Sequence, residues 1–531
     1  MRLGFVCLAV SAVAVALIWA WLGQPIAMPH TPLSPGEKLY CLSYAPFRDG
    51  QTPFDPATRI PAAQIEDDLT RLAKITGCVR TYSVRFGQDQ VAAIAKQHGL
   101  KLFQGIWLGV NAEENRAEIE TAVKIANEYP EVVQALIVGN EVLLRGDMVA
   151  EDLAAAIRAV KARVKVPVTY ADVWEYWLKN PQVASAVDFV TIHILPYWED
   201  FPIPAAQAAA HVDQIRKHVA ASMPGKEIVI GEVGWPSEGR MREGALPSPA
   251  NQARVIQDVL ALAKQERYRV NVIEAFDQPW KRGLEGTVGR YWGLLDAGTR
   301  SYKFTWGQPV SNHPQWRWQA AGGVAFALLI FAAAFAARRG ETSSAQWLAV
   351  TANAIAGGTL IGWSIANVGP ESYDAGGWIR SLALVGVALL APPVLSAATV
   401  RGSAVPAFWQ VIGPATTRVR DPLAFATGVL LIATMLLALQ SALGLVFDAR
   451  YRDFPFAPLT AAVMPLLTHH LMVKQGGGAR AMAELSGAAL FLLAVPYIAI
   501  NETFANWQSL WLCAAFAALA FILARARDGQ S

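Results

Sequence analysis

A chain of 531 residues, 53% hydrophobic and only 16% charged, is too long for one ordinary domain and too apolar for a purely soluble protein. Its formal net charge of +3 leaves no basic footprint, and no dense Lys/Arg cluster occurs, so nucleic acid is not an expected partner. The average conceals two halves, because most Asp and Glu precede residue 300 while the chain beyond is dominated by Ala, Leu, Val, Ile and aromatic residues.

The chain opens on Arg2 and an almost unbroken apolar run from Leu3 to Leu22, long enough to cross a bilayer as a helix. A cleaved signal peptide would need a small-x-small site, which Gly23-Gln24-Pro25-Ile26-Ala27 does not supply, so residues 1–24 are expected to be an uncleaved anchor. Pro25, Pro29, Pro32 and Pro35 stiffen a linker over 25–38.

From 39 to 310, short β-branched or aromatic runs alternate with amphipathic stretches such as 62–74 and 117–128, the pattern of repeated βα units. Eight strands are predicted: 39–45, 78–83, 101–108, 133–139, 166–170, 189–194, 227–231 and 271–276. Eight parallel strands in this length predict a (β/α)8 TIM barrel. An open doubly wound sheet is disfavoured because no Gly-rich phosphate loop follows the first strand. Cys41 and Cys78 fall in neighbouring strands, where two buried thiols are expected, with a disulfide as the alternative in an oxidising compartment.

Barrel enzymes carry their chemistry where strands end, and the fourth strand ends in Val138-Gly139-Asn140-Glu141. A second carboxylate arrives at Glu232, in Gly231-Glu232-Val233-Gly234-Trp235-Pro236-Ser237 after the seventh strand. A lone Gly-Asn-Glu reads more readily as a helix N-terminus, since Asn caps and Glu favours the first turn; its pairing with Glu232 is what turns the reading to catalysis. Two carboxylates about 5–5.5 Å apart are the requirement for retaining cleavage of a glycosidic bond. The other strand ends add Tyr44, Arg80, Tyr82, Trp107, Asp172, Trp174, His193, Tyr197, Trp198, Trp280 and Lys281, and aromatic rings at this density suit the C–H-rich faces of sugars. Asn140 is placed to hold Glu232 or a sugar 2-hydroxyl, and Tyr197 to orient the nucleophile. Glu274 and Glu285 read equally as ion-pair partners of Lys281 and Arg282, and His193 as a buried strand residue rather than a proton shuttle. Metal-ligand spacing of the His-x-x-x-His or Cys-x-x-Cys kind does not occur, and the chemistry needs neither metal nor cofactor.

Taken in order, the strings RTYS, GIWL, VGNE, GE-x-GWPS and FD-x-PWK, followed by Glu285 and Trp292-Gly293-Leu294, resemble glycoside hydrolase family 17, the β-1,3-glucanase and β-glucan-transferase family, over the whole soluble domain. The resemblance implies the (β/α)8 fold and a retaining mechanism, with Glu141 as acid/base and Glu232 as nucleophile. Substrate contacts are expected from Asn140, Tyr44, Arg80, Tyr82, Trp107, Asp172, Tyr197, Trp235, Trp280, Lys281 and Glu285. Gln278 departs from the acidic residue that many members carry there, which affects the polarity of one subsite.

Residues 311–531 form a membrane domain with seven expected helical spans at 318–336, 347–368, 379–398, 423–447, 456–473, 485–500 and 507–524. With the N-terminus inside, the inner loops collect Arg338, Arg339, Arg401, Arg418, Arg420, Lys474 and Arg480, with Arg525 and Arg527 after the last span; the outer loops hold Arg380, Arg450 and Arg452. The positive-inside rule then puts the barrel in the periplasm, on a multi-pass protein of a bacterial inner membrane. His469 and His470 are read as packing residues rather than as a proton or sugar path. The layout resembles membrane-tethered members of the family associated with periplasmic β-(1,3)/(1,6)-glucan synthesis. The expected partners are β-glucan, the lipid bilayer and a membrane glucan synthase, with transglycosylation as the expected outcome. A plain endo-β-1,3-glucanase and a non-catalytic glucan-binding or export scaffold are the alternatives.

Overall fold

The computed structural model describes residues 2–29, 31–415, 418–473 and 478–529, so Lys474 of the expected inner loops lies outside the described residues. The chain divides into two compact units, one of Ile26–Glu238 and Gly244–Val310, the other of Met1–Pro25, Gly239–Glu243 and Ser311–Ser531.

The first unit is a closed parallel barrel of eight strands, β1 Cys41–Ser43, β2 Cys78–Arg80, β3 Lys101–Ile106, β4 Val133–Asn140, β5 Val168–Val173, β6 Val190–His193, β7 Ile228–Val233 and β8 Val270–Val272, in sequential order. The predicted (β/α)8 architecture holds. Strands covered on both faces need apolar runs rather than alternation, and Leu136, Ile137, Val138, Ile228, Val229 and Ile230 are all buried. β5 starts later than predicted because Pro167 has no N–H to give the ladder, although its carbonyl accepts from the Leu136 N–H. β8 stops at Val272, after which the Ala275 N–H donates to the Ser43 carbonyl and Phe276 bridges to Leu295.

Two of the helices between the strands carry explicit start signals. Asn111 caps Ala112–Glu128 by accepting from the Glu113 and Glu114 N–H groups, and both glutamates sit in the first turn where the helix dipole favours them. Ser248 caps Pro249–Glu266 by accepting from the Asn251 N–H, with proline at the first helical position where its missing N–H costs nothing.

Among the described residues the second unit contains seven helices long and apolar enough to cross a membrane: Arg2–Leu22, Trp316–Ala337, Ser344–Glu371, Ala375–Arg401, Pro422–Phe447, Met482–Asn501 and Trp507–Ala524. Phe456–Met472 is an eighth apolar helix, shorter at 17 residues. Small residues set the closest approaches: a Cβ on Gly323 would lie 2.1 Å from the Gly358 carbonyl oxygen, so Trp316–Ala337 and Ser344–Glu371 meet backbone to backbone. Some polar side chains in these helices pair with one another: Asn353 donates to Ser396 Oγ (3.0 Å), Thr468 donates to Asn353 Oδ1 (2.8 Å), and Thr399 lies 3.0 Å from His469 Nδ1. In the same unit Arg240 pairs with Glu502 (2.5 Å), both side chains being almost fully buried.

The two thiols expected at Cys41 and Cys78 are instead a disulfide. The parallel register that sets Leu42 beside Val79 brings the preceding residues of β1 and β2 opposite each other, both buried. The bridge closes a separation of 37 residues, and removing such a constraint on the unfolded chain costs about 3–4 kcal/mol. Cys78→Ala in the full-length protein is expected to lower the thermal midpoint of the barrel by several degrees, with reductant producing the same fall in the wild type and none in the variant; equal midpoints for the two proteins would mean that the bridge does not form.

Candidate active site

Glu141 and Glu232 project at the C-terminal mouth of the barrel, each from a strand end that breaks ideal geometry. At the end of β4, Gly139 has φ of 90° and Glu141 φ of 54°. Glycine adopts the first at no steric cost, and a Cβ there would lie 2.7 Å from Val142 Cγ2. Glu141 in the left-handed region is held by its own N–H donating to the Ala171 carbonyl at 2.8 Å. β7 shifts register against both neighbours, between Ile192 and His193 on β6 and between Ile230 and Val233 beside β8, and these irregularities leave Glu232 opposite His193.

Arg80, at the end of β2 and 1% exposed, organises this mouth. Its Nη1 donates to Glu232 Oε1 at 2.6 Å and to the Gly231 carbonyl at 3.1 Å, and its Nη2 donates to Asn140 Oδ1. Glu232 Oε1 also accepts from the Tyr82 hydroxyl at 2.9 Å, and that hydroxyl lies 3.1 Å from Ser43 Oγ. The Arg80 guanidinium packs 4.5 Å from the centre of the Tyr82 ring. Burial pushes the Glu232 carboxyl up, but the positive charge around it, Arg80 and Lys281 included, outweighs it and holds the group below the usual carboxylate range. Glu141 is more open, its side chain 24% exposed, with Oε1 2.8 Å from His193 Nδ1. One oxygen of each glutamate and a ring nitrogen of His193 all lie within 4.8 Å of one another. That trio has the donor set of a metal site, but Glu232 Oε1 is already neutralised by a guanidinium, and a cation bound there would face that charge.

The expected contact residues divide by burial. Tyr82, Trp107, Trp280, Lys281 and Glu285 retain accessible surface at the strand ends. Trp107 is 38% exposed with the Arg145 guanidinium 4.2 Å from its ring centre. Trp280 donates its indole N–H to Gln278 Oε1 (2.8 Å) and meets Phe54 edge-on at 5.6 Å. Gln278, where an acidic residue was noted as missing, is fully buried and positions that indole while its amide donates to the Ala45 carbonyl. Lys281 pairs with Glu274 at 2.8 Å, as one of the two readings anticipated. Burial pushes the Glu274 carboxyl up to about 7, with Lys281 pulling the other way, and burial likewise raises Glu285.

Four of the expected contacts, Tyr44, Asp172, Tyr197 and Trp235, are buried and take part in the frame of the rim. Tyr44 donates to Asp68 Oδ2 at 3.0 Å. Asp172 accepts from the Tyr170 hydroxyl and from the Val173 N–H at 2.7 Å, and burial lifts it to about 6 against the pull of the Tyr170 hydrogen bond. Trp235 donates to the Leu246 carbonyl at 3.1 Å, and the Tyr197 ring packs against Trp198, Trp235 and Trp292. Arg80 and Asn140 are also buried, with Arg80 spent on Glu232 and Asn140. His193, read as a buried strand residue, is one, at the end of β6, and its imidazole lies between the two glutamates, a placement signalled in sequence only by that position.

A carboxylate pair at the C-terminal mouth of an eight-stranded parallel barrel, with one member buried against an arginine and the other open, defines the class of a glycoside hydrolase. Residues 41–293 match the family model of the BtgE/BtgC glycoside hydrolase domain. The barrel resembles such a domain over that stretch, in line with the likeness to family 17 carried by its motifs. The chain is 26% identical over 263 residues to the "Probable family 17 glucosidase SCW10" of Saccharomyces cerevisiae, covering 48% of this chain and 64% of that protein, so it spans less than two thirds of that relative. It is 27% identical over 256 residues to a glucan 1,3-beta-glucosidase of Arthroderma benhamiae, covering 44% of this chain and 82% of that one. Among solved structures, a family 17 β-1,3-glucanosyltransferase from Rhizomucor miehei aligns with 27% identity and a TM-score of 0.45, over 50% of this chain and 97% of that one.

Arg80 neutralises a buried carboxylate, so its loss leaves Glu232 uncompensated. Arg80→Met is expected to destabilise the barrel by about 3–5 kcal/mol. Arg80→Lys recovers only part of this, because an ammonium cannot serve Glu232, Gly231 and Asn140 from one planar fork. Thermal unfolding of the two variants beside wild type checks the order, and a neutral Arg80→Met would show that the pair does not hold the site together.

Proposed function

We propose that this protein is a retaining glycoside hydrolase and transglycosylase acting on β-1,3-glucan, with Glu232 as nucleophile and Glu141 as acid/base. The observation that carries the reading is the asymmetric pair: oxygens of the two carboxylates within 4.8 Å of each other, as a retaining double displacement needs, and environments that push the two toward different roles. Glu232 is buried against Arg80 and Tyr82, is kept ionised and points from a fixed position. Glu141 is the accessible one and can reach a leaving oxygen. Glu141 protonates the glycosidic oxygen as the Glu232 carboxylate attacks the anomeric carbon, giving a glycosyl ester. Glu141, now a carboxylate, then accepts the proton of the incoming hydroxyl. The substrate class is supported by relatives described as glucan 1,3-beta-glucosidases. Trp107, Trp280, Tyr82, Lys281 and Glu285 are the groups available to hold sugar.

Residues 1–24 are the anchor, 25–38 a linker, 39–310 the catalytic domain and 311–531 the membrane domain. Seven apolar helices of membrane-spanning length support insertion in a bilayer. The Lys/Arg excess on alternate loops supports an inner-membrane protein with its barrel in the periplasm, and the Cys41–Cys78 disulfide suits an oxidising compartment. A tethered enzyme meets glucan emerging from the same membrane, from a glucan synthase beside it, and acceptor sugar at high local concentration competes with water for the ester. The product of that competition is a remodelled or branched β-(1,3)/(1,6)-glucan. Plain endo-hydrolysis is the second reading, because the same ester serves both outcomes.

Glu232→Gln and Glu141→Gln are each expected to lower turnover of laminari-oligosaccharides by at least about 100-fold. Activity should fall as pH drops through the depressed Glu232 pKa, since only the carboxylate attacks. Mass and linkage analysis of wild-type products should show chains longer than the substrate; products that are only shorter, even at high acceptor concentration, would leave a hydrolase. Alkaline phosphatase fused after residue 310 should be active, and an inactive fusion with an active cytoplasmic reporter at that point would reverse the orientation.

A further inference from the structure

His193 is a buried imidazole, 1% exposed, lodged between the two glutamates. Its Nδ1 lies 2.8 Å from Glu141 Oε1, and its Nε2 lies 3.4 Å from Arg80 Nη2 and 3.6 Å from Glu232 Oε1. The charged groups facing the ring are Glu141 from β4, Arg80 from β2, Glu232 from β7, opposite it in register, and the Asp172 carboxylate from β5.

A guanidinium can only donate, so the ring nitrogen in front of it has to accept. Glu232 Oε1 offers Nε2 no alternative, because it stands beyond hydrogen-bond distance and already accepts from Arg80 and Tyr82. The ring hydrogen therefore belongs on Nδ1, where it points at Glu141 Oε1.

We propose that His193 is a positioning residue for the acid/base: its Nδ1–H occupies Glu141 Oε1 and leaves Oε2 as the oxygen that carries the proton to the leaving group. The assignment deepens the reading of Glu141 as acid/base and rests on it. In the first half-reaction the proton passes from Glu141 Oε2 to the glycosidic oxygen. In the second, Glu141 takes a proton from the incoming hydroxyl. The imidazole neither gains nor loses a proton in either half, and its N–H steadies Glu141 as a carboxylate between them. Through Arg80 the same ring is tied to the nucleophile, so one continuous chain of contacts, Glu232–Arg80–His193–Glu141, sets both carboxylates against each other.

A residue acting through proton donation matters only where the leaving group needs a proton, so the test is a split between leaving groups. In the full-length protein in detergent, His193→Leu should lower kcat/KM on laminari-oligosaccharides by roughly 10- to 100-fold, the worth of one hydrogen bond to a charged group. With a dinitrophenyl β-glucoside of the same glucan, whose leaving group departs unprotonated, the loss should stay within about threefold. His193→Asn, whose amide nitrogen falls near the position of Nδ1, should restore most of the oligosaccharide activity. His193→Gln, whose amide reaches instead toward the position of Nε2, should not. That Asn–Gln contrast remains decisive if the leucine variant fails to fold. Equal losses on both substrates, or equal activity of the Asn and Gln variants, would overturn the proposal. Glu141→Gln measured alongside separates the two readings: if it shows no leaving-group split, the acid/base assignment itself fails, whereas a split in Glu141→Gln without one in His193→Leu removes only the role of His193.

Discussion

The barrel mouth depends on one buried cation. Arg80 enters from β2 with almost no contact with solvent and is compensated there by a carboxylate, a backbone carbonyl, a side-chain amide oxygen and the face of a tyrosine ring. An isolated charge in such a place would be prohibitive, and so would an isolated Glu232; each is tolerated because the other is there and because the remaining donors and lone pairs are used. This reciprocal constraint ties β2, β4, β6 and β7 together at the point where the two glutamates meet.

The same economy explains why the strand ends split into two populations. Tyr44, Asp172 and Trp235 use their polar atoms on neighbouring side chains and backbone, and the Tyr197 ring packs on neighbouring rings, which fixes the rim. Trp107 and Trp280 keep accessible surface while being anchored, the first by Arg145 over its ring, the second by Gln278 at the indole nitrogen and by Phe47 and Phe54 edge-on. Rigid aromatic planes supported from behind suit recognition of a stiff, hydroxylated polymer better than mobile ones, since less conformational entropy is lost on binding.

In the other unit the packing principle changes. Close approach there rests on missing side chains, as at Gly323 and Gly358, and on polar groups that pair with one another, as at Asn353, Ser396 and Thr468. His469, read from sequence as a packing residue, sits in such a position with Thr399 as its neighbour.

By itself the sequence determined a great deal here: eight apolar β-runs spaced by amphipathic helices, eight apolar helical stretches, and two glutamates at the ends of the fourth and seventh strands, all of which depend on local periodicity and on motifs a few residues long. Boundaries such as the late start of β5 were also open to local reasoning, since Pro167 lacks an N–H. What only the tertiary structure decided was how side chains far apart in the chain share space. Cys41 and Cys78 became a bridge because parallel register set them opposite each other; Tyr82 met the Glu232 carboxylate; Tyr44, Asp172, Tyr197 and Trp235 were buried in the rim; and His193 met Glu141. Each outcome turns on distances of an ångström or so between strands brought together by barrel closure, and no periodicity along one strand encodes which neighbour a side chain will meet across the mouth.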